Sequence, residues 1–440
     1  MNILLANIDY PLYVSRFFTN FKKSLSRSFP FAPITLPILA ALTPKDYTIE
    51  IKDWCRYQDL NFDGDYDLIG LSFNTNYAIE AYKIADEFRR RGKTVVLGGW
   101  HSSALPLEAK QHSDAVVIGE AEETWPELLN DFKNKNLRQF YSQKKPTDPK
   151  KIPILQNYTK IETPGVQATR GCPYRCDFCS ITYAKFGNIF RARPIEDVIK
   201  EIKSTRENLF VFYDNSLTIN PSYTKELFKE MKSLNKKFTC YGNINVLNND
   251  DELLKLSSEA GCKCWFIGFE SVSQQSLESA GKKTNLVKNY ISAVKKIHDY
   301  GAIVFGLFVF GFDYDKPDIF EKTKEFLRKS EIDFAQFHIL TPYPGTPIFE
   351  KFEEQNRILT KDWSLYDCYN VVFKPRNMTP EQLYDNTKKV ISEFYSYHNC
   401  SRRTFTSMKL LGSHNFIDMG LTNLKQRDDY RHLFKVNRHG

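Results

Sequence analysis

Three cysteines in the run GCPYRCDFC have types and a spacing that suit metal chemistry. Cys172, Cys176 and Cys179 form a C-x3-C-x2-C pattern. Three thiolates on one short loop can hold three irons of a cubane iron–sulfur cluster, whereas four thiolates would close it. The remaining iron then keeps a position for a non-protein ligand, which distinguishes a reactive metal site from a structural one. The spacing therefore predicts a reactive [4Fe–4S] centre.

Zinc and simple burial are the rival interpretations of these thiols. Thiolates also suit zinc, but a zinc site needs a fourth Cys or His nearby. No histidine lies between His112 and His298, and the next cysteine is Cys240. Both rivals are therefore weaker than a cluster. Nine cysteines without a disulfide-like array indicate a reducing compartment, and we expect a cytoplasmic protein.

The composition limits the partners that the chain could have. A net charge of +8, dispersed along 440 residues, does not predict a nucleic-acid surface. The longest apolar run, at 302–312, is too short to span a bilayer. The 34 Phe and 24 Tyr residues exceed what a core needs and suit a hydrophobic substrate cavity.

The N-terminal region alternates between apolar strands and amphipathic helices, which predicts a flavodoxin-like doubly wound parallel sheet over residues 1–140. Ligands of such sheets bind at the carboxyl ends of the strands. Small residues there would let a large planar ligand approach the backbone, but tight turns also need them, and both interpretations stay open. The residues at these ends are Asn74, Thr75, Gly98, Gly99, His101, Gly119 and Glu120.

The rest of the chain predicts a linker, a barrel and a tail. Residues 141–164 are rich in Lys and Pro, which is typical of a linker. Six further strands alternating with helices over 165–375 predict a partial (β/α)6 barrel, and 376–440 predict a helical C-terminal extension. The cysteine loop follows the first barrel strand, on the rim where such barrels carry their catalytic residues.

Polar or small residues end several barrel strands. Asp214 follows FVFY, Glu270 and Ser271 follow WFIGF, and Gly311 ends GLFVFG. Such groups can bind an ammonium, a ribose or a carboxylate. The rim therefore combines a predicted open iron with groups able to bind an amino acid and a nucleoside.

These segments carry a family resemblance. GCPYRCDFC, with FYDNSLTIN, FIGFESVSQQSLESAGKKTN, GLFVFGFDYD and ILTPYPGTPIFE downstream, resembles the radical S-adenosylmethionine (SAM) superfamily. LSFNTNYAIEAYKIADEFR and LGGWHSSALPLEA resemble the cobalamin-binding domain of its cobalamin-dependent branch. The tail VVFKPRNMTPEQLYDNTKKVISEFYS is similar to the extension of members that act on isoprenoid lipids, such as hopanoid methylases.

The resemblance implies specific roles at the barrel rim. The cysteines would ligate a [4Fe–4S] cluster that binds SAM, and reductive cleavage would give a radical that abstracts hydrogen from an unactivated carbon. Phe178 would lie near the adenine, and Gly306 to Gly311 would line it. Asp214, Glu270 and Ser271 would contact the methionine amine, the ribose or the carboxylate.

The resemblance also implies cobalamin at the first sheet, with one departure. Many cobalamin domains carry D-x-H-x-x-G, which supplies a histidine to cobalt, and this sequence has no such motif. His101 lies in a different loop. Either cobalamin binds without a protein histidine or the domain has lost it, and we expect that it is retained.

The expected function is functionalisation of an unactivated C–H bond, by cobalamin-dependent methyl transfer to a lipid-like or other hydrophobic small molecule, with an isoprenoid lipid as a candidate. The alternatives are a cobalamin-independent cyclase, oxidase or carbon–carbon coupling enzyme on a lipid-like or tetrapyrrole substrate, and a non-catalytic cobalamin or iron–sulfur sensor. We expect a reductant such as ferredoxin or flavodoxin and no nucleic-acid partner. The tail would cap the substrate cavity, with peripheral membrane contact as its alternative.

Overall fold

Two parallel β-sheets organise the chain in the computed structural model. The structure describes residues 1–8, 33–155, 164–411, 423, 426–428 and 430. Residues 156–163 of the predicted linker, and most of the predicted extension beyond 411, lie outside this part of the chain.

The first sheet has six parallel strands in the order β2-β1-β3-β4-β5-β6. In chain order, β1 to β6 are Asn2–Ile8, Thr48–Lys52, Leu68–Phe73, Thr94–Gly98, Ala115–Ile118 and Phe140–Ser142. The central strands β1 and β3 are buried on both faces, as their near-continuous apolar sequences require in a parallel sheet covered by helices. The predicted flavodoxin-like sheet is confirmed.

In the described part of this region, five helices accompany the sheet: α1 Thr35–Leu42, α2 Ala78–Arg90, α3 Trp100–Ala104, α4 Pro106–Gln111 and α5 Thr124–Lys133. In α2, Ala81, Ile84, Ala85 and Phe88 are buried and recur at the spacing of one helical face. That face packs against β3 and β4, so the carboxyl ends of these strands open towards the loops that precede α2 and α3.

The sixth strand was not predicted. The segment assigned to a linker from residue 141 begins inside β6, which pairs in parallel with β5 through Val116 and Phe140 and through Ile118 and Ser142. A three-residue strand is too short to show an alternating pattern, and its anchor, buried Tyr141, donates a hydrogen bond to Asp131 at 2.9 Å.

The second sheet also has six parallel strands, in the order β7-β10-β11-β12-β13-β14. Its strands are β7 Gly165–Val166, β10 Leu209–Phe212, β11 Lys237–Gly242, β12 Cys262–Glu270, β13 Ile303–Phe310 and β14 Phe334–Ile339. A short hairpin of β8, Thr169–Arg170, and β9, Arg191–Ala192, was not predicted. The predicted partial (β/α)6 barrel is confirmed.

Nine helices accompany this sheet within the described residues: α6 Ser180–Tyr183, α7 Ile195–Ser204, α8 Pro221–Met231, α9 Ile244–Asn249, α10 Asp251–Ala260, α11 Gln274–Ser279, α12 Tyr290–Asp299, α13 Ile319–Ser330 and α14 Pro347–Glu354. On the helix-facing side, the ring centroid of Phe310 lies 4.9 Å from that of Phe320 in α13. The outer face of the barrel is therefore a helix-packed core.

The inner face of the second sheet carries a row of four rings, which we call the aromatic floor. Tyr241, Phe266, Phe305 and Phe334 lie side by side across β11 to β14, with successive ring centroids 4.9, 4.9 and 6.0 Å apart. Phe266, Phe305 and Phe334 are buried. The floor lines this part of the barrel interior with apolar surface.

Up to residue 411, the chain forms two helices after the barrel, α15 Pro380–Phe394 and α16 Tyr397–Leu411. Thr379 and Gln382 form a capping box that begins α15. The Tyr395 hydroxyl donates to the carbonyl of Ala335 at 2.7 Å, so this region covers the free edge of β14. The described part of the predicted extension is helical as expected. No helix among the described residues is long and apolar enough to cross a bilayer.

Adjacent glycines at the end of β4 provide a matched stability test. A Cβ atom at Gly99, whose φ is +97°, would lie 2.6 Å from the carbonyl oxygen of Phe73, whereas one at Gly98 would be 3.9 Å from its nearest neighbour. We expect Gly99→Ala to lower the free energy of unfolding by about 2 kcal/mol and Gly98→Ala by less than about 0.5 kcal/mol. Equal losses in denaturant unfolding would contradict this account of the turn.

Candidate functional site

The cysteine loop, residues 171–187, is closed at its base by the β8–β9 hairpin. The Cys172 amide donates to the carbonyl of Gly187 at 2.8 Å, and the Thr182 hydroxyl donates to the carbonyl of Cys172 at 2.8 Å. The Cys179 amide donates to the carbonyl of Cys176 at 3.0 Å. These short-range hydrogen bonds therefore fix the backbone conformation of the loop that carries the three thiols.

Two segments of the barrel rim hold this loop from outside. The amide of Asp177 donates to the carbonyl of Ala280 at 3.0 Å, and its carbonyl accepts from the amide of Ile348 at 3.2 Å. Gly281 has φ +72°, and a Cβ atom there would be 3.0 Å from the carbonyl oxygen of Arg175. The glycine of LESAGKKTN thus permits close packing against the loop.

Burial keeps two thiols of the loop protonated in the absence of a metal. Burial raises the pKa of Cys172 and raises that of Cys176 to about 12, so a metal is needed to deprotonate them at neutral pH. Within the described residues, no three His, Cys, Asp or Glu side chains converge as the ligands of one ion do. A cubane offers separate irons to separate thiolates, so it does not need that convergence.

A charged pair lies beside the thiols, and sequence analysis identified only its acidic member. Lys282 Nζ is 3.0 Å from Glu270 Oε1, with side chains only 19% and 12% exposed. Burial would lower the pKa of Lys282, but the negative charge of the Glu270 carboxylate and its hydrogen bond to Lys282 raise it above its ordinary value. Lys282 is therefore a retained cation next to the predicted cluster ligands. The sequence feature that could have identified Lys282 is the segment GKKTN, which begins with Gly281.

The backbone around Glu270 accommodates the ion pair between Glu270 and Lys282. Glu270 has φ +61° and follows a register irregularity between β12 and β13. A Cβ atom at Gly268 would collide with the Glu270 carboxylate and would be 3.3 Å from Lys282 Nζ. Gly268 is partly exposed, and in β12 it shares the alternation of the floor residue Phe266. The pair therefore occupies the inner face where Gly268 lacks a side chain.

Asp214 and Ser271 are engaged inside the protein. Asp214 accepts from the amides of Ala168 and Thr169 and, at 2.6 Å, from the Thr169 hydroxyl. Burial raises its pKa to about 6. Ser271 Oγ accepts from the amide of Ser273 at 3.1 Å. Asp214 thus supports the segment that leads into the cysteine loop, and SAM contacts by either residue stay predictions.

The predicted adenine-lining residues do not share one environment. The Phe178 ring packs edge-on against Phe312, 5.5 Å between centroids. A Cβ atom at Gly306 would lie 2.9 Å from Phe308 and 3.3 Å from Phe269, both in the helix-facing core. This packing does not support an adenine contact at Gly306, because the residue faces away from the barrel interior.

Gly311 ends β13 in a tight turn. It has φ +107°, and its amide donates to Asp315 Oδ2 at 3.0 Å. A Cβ atom there would be 3.1 Å from Phe373. The turn geometry accounts for this glycine, and its SAM contact stays a prediction.

Above the aromatic floor, side chains on the inner face of the second sheet are partly exposed, and we call the space that they face the cavity. Leu307 and Val309 in β13, and Gln336 and His338 in β14, alternate with buried residues but are themselves partly exposed. Register pairs Leu307 with Gln336 and Val309 with His338. The walls near the rim are therefore mainly apolar, with one amide and one imidazole on the last strand.

Four side chains, which we call the charge clamp, join the first sheet to the base of the cysteine loop. Both Glu120 oxygens accept from the Arg191 guanidinium, at 2.6 and 2.7 Å. Arg170 Nη2 lies 2.6 Å from Glu122 Oε1. Both carboxylate oxygens of Glu120 are therefore paired with Arg191. This pairing does not support the predicted cobalamin contact of Glu120.

His101, which was predicted as a candidate cobalamin contact, lies in the core of the protein. It is fully buried and packs against Phe73, Tyr82 and Trp363. Its Nε2 lies 3.1 Å from Glu108 Oε1. Because α3 begins at Trp100, the first helical turn directs His101 into the protein and away from the sheet edge.

The remaining candidates at this edge divide into turn residues and partly exposed residues. Gly99 faces the backbone of Phe73, and a Cβ atom at Gly119 would be 2.6 Å from Gln143 Oε1, which favours the tight-turn interpretation for both. Thr75 is buried. Asn74 and Gly98 are partly exposed, and Trp100, which sequence analysis did not select, is 44% exposed.

Comparisons with known proteins agree with this architecture. The model of the radical SAM superfamily matches residues 166–327. Two proteins of Chlorobaculum tepidum are similar along most of their length. Bacteriochlorophyllide d C-12(1)-methyltransferase is 33% identical, covering 82% of each chain, and bacteriochlorophyllide d C-8(2)-methyltransferase is 31% identical, covering 87% of this chain and 89% of the relative.

More distant similarities concern a lipid methylase and a solved structure. The hopanoid C-2 methylase of Rhodopseudomonas palustris is 23% identical over 75% of this chain and 66% of its own. The radical SAM methyltransferase TsrM of Kitasatospora setae, solved with cobalamin and a [4Fe–4S] cluster, superposes with a TM-score of 0.72 at 15% identity, covering 98% of this chain and 99% of TsrM. The latter likeness is one of fold.

Replacing Lys282 tests its electrostatic role. We expect Lys282→Met to lower the midpoint potential of the reconstituted cluster by on the order of 50 mV, because a nearby cation favours the more negative reduced form. Redox titration followed by electron paramagnetic resonance measures this. Lys283→Met is the control, since Lys283 is exposed. An unchanged potential at full iron content would remove the proposed effect.

Replacing Glu120 tests the charge clamp. We expect Glu120→Gln to lower the free energy of unfolding at pH 7 by about 3 kcal/mol, because Arg191 stays buried without its charged partner. Burial would raise the pKa of Glu120, but the Arg191 hydrogen bond and the charge of Arg170 lower it from 4.5 to about 2. The stabilisation is therefore present above pH 4.5 and is lost as the pH falls towards 2.

Denaturant unfolding of the cluster-free protein at pH 7 and pH 3 measures this difference, which should narrow at pH 3. Glu123→Gln is the matched control, because its partner Lys151 is 57% exposed and its loss should cost less than about 1 kcal/mol. Equal costs for the two variants would mean that the clamp contributes no more than a surface pair.

Proposed function

The chain belongs to the radical SAM superfamily, and we propose that it is a cobalamin-dependent methyltransferase that modifies a carbon atom of a tetrapyrrole-type substrate. The observation that carries the proposal is the position of the cysteine loop between the two sheets. Arg191, at its base, is paired with Glu120 after β5, and Lys185 donates to Ser142 Oγ of β6 at 2.7 Å. Its other side is held by the barrel rim at Ala280.

This placement suits a reaction that combines two reactive groups. The cluster with SAM supplies radical chemistry in this family, and cobalamin would supply the methyl group. Cys172, Cys176 and Cys179 would hold the cluster. Lys282 keeps the Glu270 carboxylate on the cavity wall, and the aromatic floor excludes water, which a carbon radical requires.

Cobalamin fits the first sheet if no histidine ligates cobalt. His101 is buried and bound to Glu108, so it does not reach the edge. Asn74, Gly98 and Trp100 are at least partly exposed there and would hold a large planar ligand by packing and backbone contact. The shared fold with TsrM, solved with cobalamin, supports retention of this cofactor.

A tetrapyrrole is favoured over an isoprenoid lipid by the pattern of relatives. Two relatives above 30% identity are named for action on bacteriochlorophyllide, whereas the hopanoid C-2 methylase is 23% identical. A flat apolar floor suits a planar ring system. A lipid substrate, a ferredoxin or flavodoxin reductant and a cytoplasmic location stay predictions from sequence.

The test is an anaerobic assay with reconstituted cluster, cobalamin and SAM labelled in its methyl group. We expect 5′-deoxyadenosine and label in a bacteriochlorophyllide-type chlorin, and no label in a hopanoid. Cys176→Ala should abolish both products, while Cys55→Ala, in the first sheet unit, should retain them. 5′-Deoxyadenosine without label transfer would favour a cyclase or oxidase, and its absence would favour a sensor.

A further inference from the structure

His338 lies on the inner face of the barrel, near the carboxyl end of the last strand. It is the fifth residue of β14 and pairs in register with Val309 of β13. Its neighbour Phe337 points to the helices, where its ring centroid lies 5.5 Å from that of Phe394 in α15. Because side chains alternate along a strand, His338 points to the opposite face, which is the barrel interior.

The imidazole of His338 differs in its surroundings from those of His101, His112 and His298. His101, His112 and His298 each have a ring nitrogen 2.8–3.1 Å from a carboxylate oxygen. Among the described residues, His338 has an edge contact with the ring of Tyr369, 5.6 Å between centroids, and no hydrogen-bond partner for its ring nitrogens.

The state of this ring follows from its surroundings. Burial lowers the pKa of His338 to about 4, so the ring is neutral at physiological pH. A neutral imidazole keeps one ring nitrogen with an available lone pair. Within the described residues, neither ring nitrogen of His338 has a hydrogen-bond partner, and the side chain lies on the partly exposed inner face of β14.

Such a nitrogen is suited to a metal with a vacant coordination position. The central metal of a metallated tetrapyrrole has four ring nitrogens in its plane and an open axial position, and neutral imidazole is the commonest protein ligand for metals. A histidine already bound to a carboxylate through the nitrogen facing the cavity could not serve in this way.

We propose that His338 is the axial ligand to the central metal of the tetrapyrrole substrate, an inference that rests on the proposed function and deepens it. The contact fixes which face of the macrocycle meets the β14 wall and how far the ring stands above the aromatic floor. The substrate class is then a chlorin that already contains its metal, so the reaction that supplies this substrate includes metal insertion.

The position of β14 in the sheet is consistent with this role. In the strand order β7-β10-β11-β12-β13-β14, β14 lies at the end opposite to β7, the strand that leads into the cysteine loop. A macrocycle held at His338 would extend from the last strand towards the loop. Its periphery, rather than its centre, would face the reactive groups, as methylation of a ring substituent requires.

The experiment measures binding, using the reconstituted protein with SAM and two probes, zinc pheophorbide and metal-free pheophorbide. We expect the wild type to bind the zinc chlorin at least about tenfold more tightly than the metal-free one, with the absorption shift of axial ligation. His338→Ala should lose this preference and retain its affinity for the metal-free chlorin, which also shows that the cavity is intact. Added imidazole should restore the ligation spectrum in that variant.

Gln336→Ala is the matched control, because Gln336 lies on the same face of β14 one step nearer the floor and should leave the preference unchanged. Equal binding of both chlorins by the wild type, or an unchanged preference in His338→Ala, would overturn the role of His338 while leaving chlorin methylation intact. If neither chlorin binds and the labelled methyl group enters a hopanoid, the proposed substrate fails and the inference fails with it.

Discussion

The charge clamp is the interaction on which the arrangement of the two sheets depends. Glu120 and Glu122 follow β5 of the first sheet, whereas Arg170 and Arg191 lie in the hairpin that closes the cysteine loop. Buried ion pairs contribute little net stability compared with apolar packing, but a bidentate guanidinium–carboxylate pair fixes both distance and direction. The clamp thus sets where a ligand of the first sheet stands relative to the thiols, which radical transfer between two bound groups requires.

On the barrel side of the site, the backbone is strained at Glu270, next to the predicted cluster ligands. Glu270 has a left-handed backbone conformation, which is unfavourable for a non-glycine residue and persists where the surroundings enforce it. The enforcing contacts are Lys282, which binds the carboxylate, and the bare backbone of Gly268, which leaves room for it. This strained segment and the cysteine loop meet through Lys282, so the two halves of the predicted SAM site are electrostatically coupled.

Much of the architecture was predictable because it depends on local patterns. Buried strands alternating with amphipathic helices predicted both parallel sheets, and the spacing of Cys172, Cys176 and Cys179 identified the loop that the structure holds between the β8–β9 hairpin and the barrel rim. The partners of individual side chains and the faces on which they lie could not be predicted in this way, because local patterns do not encode them. Glu120 and His101 stand at strand ends as expected, but Arg191 is 71 residues from Glu120 in sequence, and an early helix start turns His101 inward. Gly306 could be placed only once the alternation of β13 was anchored by Phe308.

The aromatic floor has a consequence for the order of events during turnover. Its rings cover the inner face of β11 to β14, so reactants and products would pass at the carboxyl ends of the strands, beside the loop that the charge clamp holds. A broad, rigid molecule entering last would trap whatever entered before it. The products would then leave in the reverse order. The 5′-deoxyadenosine would stay bound until the methylated product dissociates, and dissociation of that product would limit the rate of turnover.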